Sequence, residues 1–159
     1  MATLTGTRGT PTFPIGGFGE GSNLRVAFGS YNFTANPTAA DIVNLCWVPK
    51  WACVIGGYVQ GTDLDTNATE ELDFDIGWLA NGTEAADPDG LGNFGVVTID
   101  TVAGIKPESG FYLPLSGVLN TTGPQKFSED TVIALTVNVD SATFAAGILT
   151  AVVFYVMDY

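Results

Sequence analysis

The chain has 159 residues, of which 46% are hydrophobic and only 14% charged, with a formal net charge of −12 and no histidine. That length suits one domain with a core large enough to fold without metals or disulfides. Five Lys and Arg against seventeen Asp and Glu oppose a phosphate backbone, so nucleic-acid binding is not expected, and the absent imidazole removes the commonest general base and transition-metal ligand.

The first residues, 1–5, carry no basic stretch followed by an apolar core, so a secretory leader is not expected and the mature chain is read as starting here. Residues 1–22 are rich in Gly, Thr and Pro, have Arg8 and Glu20 as their only charges, and set Phe13, Ile15 and Phe18 among glycines. They read as an extended arm, which cannot bury those apolar groups alone and must lie on its own domain or on a neighbour. The Gly-rich run 15–21 lacks the Lys and the strand-to-helix context of a phosphate cradle.

The remainder, 23–159, is read as one all-β domain, because Thr, Val, aromatics, Asn and Gly outweigh the helix formers. Leu24 to Phe33 predicts a strand with a bulge near Gly29, where the apolar phase shifts. Asp41 to Val48 and Trp51 to Gln60 predict two strands joined as a hairpin through Pro49-Lys50. Leu72-Asp73-Phe74-Asp75-Ile76 alternates strictly, placing both aspartates on a wet face. Asn81 to Phe94, with Asp87-Pro88-Asp89-Gly90, reads as a surface loop with a helical turn around residues 83–86. Gly95 to Val102 and Tyr112 to Leu115 predict two further strands, the second at an edge because of Pro114. Thr131 to Val139 has a core face. Gly147 to Met157 is apolar on both faces over residues 151–156, so both sides need cover. About eight strands at this spacing make a single-domain β-sandwich, jelly-roll-like in topology. The last strand is too short, and too β-branched, for a membrane helix.

Candidate chemistry is sparse. A two-residue hairpin turn would set Cys46 opposite Cys53, in register for a disulfide, but two small buried thiols are the plainer reading, since free Cys is often buried and nothing argues for oxidation. Asp63, Asp65, Glu70, Glu71, Asp73 and Asp75 offer oxygens to a hard cation but match no calcium-loop pattern, and a solvated acidic face is the plainer reading. Asp73 and Asp75 have the same-face spacing of paired catalytic carboxylates, which any wet-faced strand shares. Lys50, Lys106 and Lys126 form no dyad with Ser or Thr. Four Asn-x-Thr triplets, starting at Asn32, Asn67, Asn81 and Asn120, read as turns in an Asn- and Thr-rich chain. Trp47, Trp51, Tyr58 and Trp78 would serve a sugar-stacking platform if they converged, and otherwise core or subunit contacts. No catalytic, cofactor or metal residue is assigned, and no cofactor is expected.

Several segments together resemble a pattern of tailed-phage virion proteins: Asp41-Ile42-Val43-Asn44-Leu45, then Val48-Pro49-Lys50-Trp51-Ala52-Cys53-Val54-Ile55-Gly56-Gly57. Thr62-Asp63-Leu64-Asp65-Thr66 and Leu72-Asp73-Phe74-Asp75-Ile76-Gly77 follow. Asp89-Gly90-Leu91-Gly92-Asn93-Phe94-Gly95-Val96 and Phe144-Ala145-Ala146-Gly147, leading into the apolar final strand, are similar to the same group. The chain departs from the pattern at Trp51, where Gly is usual after the Pro-Lys turn. The group resembled is the head decoration, or capsid cement, proteins of tailed bacteriophages. The resemblance implies a non-enzymatic β-sandwich subunit on the exterior of a phage head, assembled in the host cytoplasm. Its implied partners are the major capsid protein and copies of itself, as a homo-oligomer for which a trimer is one form. Arg8, Phe13, Ile15, Phe18, Arg25, Trp51, Phe154, Tyr155, Met157 and Tyr159 are the residues expected to meet partners. The alternative function is a tail- or fibre-associated carbohydrate-binding module.

Overall fold

The computed structural model describes residues 24–67, 69–96 and 110–158, and among them nine strands form, several of them built on alternation of inward and outward residues. In chain order they are β1 (Arg25–Phe33), β2 (Ile42–Val48), β3 (Ala52–Gly61), β4 (Asp73–Trp78), β5 (Asp87–Val96) and β6 (Phe111–Pro114). One helical turn, α1 (Val118–Thr121), then leads to the two-residue β7 (Gln125–Lys126), β8 (Thr131–Val139) and β9 (Gly147–Met157). The first sheet has the order β1-β9-β3-β6, with β7 also on β3, and the second has the order β2-β8-β4-β5. The antiparallel pairs β1 with β9, β2 with β8, β3 with β6 and β4 with β5 nest inside one another. That nesting is a jelly roll: an eight-stranded hairpin rolled into two facing sheets, with β7 as a small addition.

The inward residues of both sheets form one core. Leu149, Ala151, Val153 and Tyr155 of β9 and Val54 and Val59 of β3 face Ile133, Leu135 and Val137 of β8 and Phe74 and Ile76 of β4. Phe74 packs edge-on against Phe94 and at a tilt against Phe111, and Trp78 against Phe127, with ring centroids 5.2–5.9 Å apart. Such pairs add to the burial term that dominates a sandwich core. The sheets meet most closely between edge strands β1 and β2, where a Cβ on Gly29 would stand 1.7 Å from the Leu45 carbonyl oxygen.

Four sequence expectations are corrected. The strands around Pro49-Lys50 are no hairpin, because β2 lies in the second sheet and β3 in the first, so the turn crosses between sheets. The bulge near Gly29 is absent: β1 pairs with β9 in unbroken register from Arg25–Tyr155 to Phe33–Gly147. The phase shift arises because the apolar residues of β1 change face, Val26 and Phe28 pointing outward and Phe33 into the core. The excursion after Asn81 becomes strand β5 from Asp87 onward. It is an edge strand, where Pro88 forfeits no interior ladder bond. Asp75, placed on a wet face, is 7% exposed under Asn138. The strand expected over 95–102 lies largely outside the described residues, as does the arm.

Candidate functional site

The outward faces of the two sheets differ in chemistry, and register explains why. On the first sheet, Val26, Phe28 and Ser30 of β1 sit beside Phe154, Val152 and Thr150 of β9. These continue to Gly56, Tyr58 and Gln60 of β3 and to Pro114 and Tyr112 of β6. Val26 is 49% exposed, Phe28 68% and Tyr112 41%, with Ile148 and the bulge residue Ile55 exposed beside them. Tyr58 stacks between Tyr112 and Phe154, at 4.8 and 6.0 Å. Ser30 and Thr150 share a 2.7 Å hydroxyl hydrogen bond, and a hollow of about 380 Å³ opens at the corner lined by Gln60, Phe111, Tyr112 and Ile148. Among the described residues that register places on this face none is acidic; Lys126, opposite Cys53, is its one cation and pairs with Asp158 at the end of the face. Apolar patches of this kind are common at protein–protein contacts, and here one lies on a chain of net charge −12.

The outward face of the second sheet is mixed, polar over β8 and β4 with Ile42 and Trp47 exposed on its β2 edge. Asn44 and Trp47 of β2, Thr136 and Asn138 of β8, and Asp73 and Asp75 of β4 line it. The Asn138 side-chain amide donates to both carboxylates, to Asp73 Oδ1 at 3.1 Å and Asp75 Oδ2 at 2.9 Å. Asp75 Oδ1 is buried without a hydrogen-bond partner. Its desolvation raises the carboxyl pKa, and the nearby Asp73 and Asp89 charges add to the rise against the Asn138 bond. Asp87 is likewise raised, by burial and then by its hydrogen bond to and charge repulsion from Asp89. The two β4 aspartates thus share one amide rather than facing each other across a cleft.

All three described cations lie at one end of the sandwich, where β2 crosses to β3. Trp51 there has φ 68°, the left-handed region that explains why Gly is usual at this position of the resembled pattern. Its ring lies 5.0 Å from Lys50 Nζ and 5.3 Å from Lys126 Nζ, two cation–π contacts. Lys50 also pairs with Glu129 and Lys126 with Asp158. Arg25 is exposed at the start of β1. The opposite end, formed by the β3–β4 and β8–β9 loops, carries Asp63, Asp65, Glu70, Glu71 and Asp140.

Asp65 at that end is a staple. Its Oδ1 accepts the backbone N–H of Asn67 and Thr143, and its Oδ2 accepts those of Glu71, Leu72 and Ala142. Burial alone would raise its pKa, but the N–H donors of Glu71, Thr143, Ala142 and Asn67 outweigh it and hold the carboxyl below its ordinary value. Its oxygens are therefore spent on the β3–β4 and β8–β9 loops. No group of three or more His, Cys, Asp or Glu among the described residues is placed to hold a metal ion. Cys46 faces the core and Cys53 the outer side of the first sheet, so both are free thiols, with burial pushing Cys46 up to about 11.

Of the residues expected to meet partners, Phe154 lies on the apolar face and Trp51 and Arg25 at the cationic end. Tyr155 points into the core at 9% exposure, and Met157 packs against that core. Arg8, Phe13, Ile15, Phe18 and Tyr159 lie outside the described residues. The aromatics of a sugar platform do not converge: Trp78 is in the core, Tyr58 on the first sheet, and Trp47 on the second. Val26, Phe28, Val152 and Tyr112 went unnamed as contact residues. Their signal was the apolar alternation in residues 24–28 and the two-sided final strand. Asn67 and Asn81 each accept a backbone N–H two residues on, as turn residues, whereas Asn32 lies in β1 and Asn120 in α1.

No protein-family model matches the sequence, and no curated protein does. Solved structures do. A chain of the capsid asymmetric unit of cyanophage Pam1 is 26% identical over 99% of this chain and 100% of that one, with TM-score 0.67. A chain of the capsid of Ralstonia phage GP4 is 21% identical over 85% and 86%, with TM-score 0.60. A third, in the acidic stable capsid structure of Helicobacter pylori bacteriophage KHP30, is 12% identical over 84% and 87%, with TM-score 0.54. The jelly roll is thus a fold found in three phage capsids.

Proposed function

We propose that this chain is a virion structural protein that decorates and stabilises a phage capsid, through contacts with the major capsid protein and with neighbouring copies of itself. A virion role is supported by the end-to-end likeness to a chain of the cyanophage capsid, which is the observation that carries the reading. The apolar outer face of the first sheet supports a life in contact with other subunits. The work done is adhesion rather than catalysis. A subunit that binds assembled shell stabilises it by mass action, because each occupied site must be vacated before its neighbours separate. The protein sits on the head exterior and joins the particle in the host cytoplasm.

Residues 1–22, with Phe13, Ile15 and Phe18, reach along the shell; extended, they span roughly 75 Å, more than the domain's own width. Arg8 and Arg25 meet partner carboxylates, and Trp51, Phe154, Met157 and Tyr159 supply apolar contact. Cosedimentation with capsids isolated without this protein tests the reading. The full chain pellets with them saturably and raises the temperature at which they break open. A chain that stays in the supernatant at every concentration overturns it. Deleting Met1 to Ser22 weakens the binding, and unaltered binding removes the arm from the contact.

A further inference from the structure

We infer that the outer face of the first sheet is covered by the same face of a second copy of this chain, the two sheets packing face to face about a two-fold axis. This rests on the proposed life of the chain among copies of itself and names the surface they use.

Charge selects the occupant. Two molecules of net charge −12 repel at most approaches, and the outer face of the second sheet presents Asp73, with Asp75 buried beneath Asn138 beside it. The first sheet's outer face is the broad surface on which register places no acid; its charges, Lys126 opposite Cys53 and the paired Asp158, sit together at one end, so two copies meet over its centre without opposing carboxylates. An isologous contact sets this patch against itself, which needs a self-complementary surface. A neutral apolar sheet face satisfies that requirement, and two such faces stack about 10 Å apart. Phe28, Tyr58, Tyr112 and Phe154 supply the aromatic anchors that dominate interface cores. Ser30, Thr150 and Gln60 give the polar fringe.

Area permits it. Three strands of nine to eleven residues and the four-residue β6, about 4.8 Å apart at about 3.3 Å per residue, cover roughly 540 Å² on each copy. Together the copies bury roughly 1,100 Å², above the roughly 1,000 Å² that separates a specific contact from a fortuitous one. Because the centre of the contact is uncharged and the Lys126–Asp158 pair at its end is internal to each copy, while the molecules as a whole repel, salt tightens it by screening, the reverse of a contact built on ion pairs between copies.

Sedimentation equilibrium of the full chain at micromolar concentration, in low and high salt, tests the inference. The expected result is a species of twice the 16.6 kDa chain mass, tightened by salt. Phe28→Glu and, separately, Phe154→Glu weaken association by at least roughly 30-fold. Trp47→Glu, on the other sheet, leaves it unchanged, and circular dichroism and melting temperature identify variants that remain folded. Phe28→Glu carries the test if Phe154→Glu unfolds, since Phe28 is the more exposed. A wild-type monomer, an oligomer indifferent to both substitutions, or a monomer that dimerises only once residues 1–22 are removed overturns it. The last outcome would assign the face to the arm. Shell binding is measured on the same samples: a monomer that still binds capsids sinks this inference alone, and a dimer that binds none sinks the proposed function alone.

Discussion

Two aspartates in closely similar sequence settings have opposite consequences. Asp65 gathers five backbone N–H donors from two loops, so its ionised form is favoured in the fold. A carboxyl with a depressed folded pKa contributes stability that is present above the unfolded value and is lost as pH falls through the folded one. Asp65→Asn therefore destabilises by about 3 kcal/mol at neutral pH, since several charge-assisted bonds weaken together. Urea titration reads this as a lowered midpoint, with the gap to wild type closing below about pH 4. Asp75 is the reverse case: burial and the neighbouring Asp73 and Asp89 charges raise its pKa, and one oxygen has no partner. Stability from its protonated form is full below the unfolded value and is lost as pH rises through the folded one. Asp75→Asn accordingly gains about 1 kcal/mol at pH 7, a melting-temperature rise of roughly 2–4 °C that vanishes below about pH 4. The sequence showed the alternation that places Asp75 outward, but not the cover from Asn138, which comes from a strand 63 positions away.

Among elements, what the sequence made legible follows the range of the interaction that fixes each one. β4, β8 and β9 were readable because their apolar alternation is local and a core face declares itself. The β2–β3 connection was misread because a Pro-Lys turn within a strand pair and one that crosses between sheets have the same residues; only the pairing of β2 with β8 and of β3 with β9 distinguishes them. That pairing is long-range, as in every jelly roll. β5 was hidden by Asp-Pro-Asp-Gly, whose turn chemistry is tolerated on an edge strand. The close approach of β1 to β2 could not be read either, although it fixes Gly29: an added Cβ would overlap the Leu45 carbonyl. Gly29→Ala is expected to cost about 3 kcal/mol, by thermal or urea unfolding. A loss under about 0.5 kcal/mol, the size of an ordinary surface change, would mean the two edge strands do not meet there.

For the molecule as a whole, the composition already told that apolar residues exceed what one core absorbs, and the structure puts the larger part of the excess on the outer face of the first sheet, with Ile42 and Trp47 exposed on the second. The first sheet is largely apolar on both faces; the second is apolar inward and mixed outward, with Asp73, Asn44 and Thr136 beside the exposed Ile42 and Trp47. In the inferred pairing, net charge disfavours approaches other than the one through the largely neutral face. The candidate contact surface was half legible: Phe154 and the two-sided final strand pointed to it, while Val26, Phe28, Tyr58 and Tyr112 joined it only through register with β9 and β3. A decorating subunit occupies repeated positions over a closed shell. The most direct measurement is therefore the number of copies in purified particles, by quantitative mass spectrometry against the major capsid protein. The account predicts a fixed stoichiometry of hundreds of copies per particle. A handful of copies, or none, would contradict it.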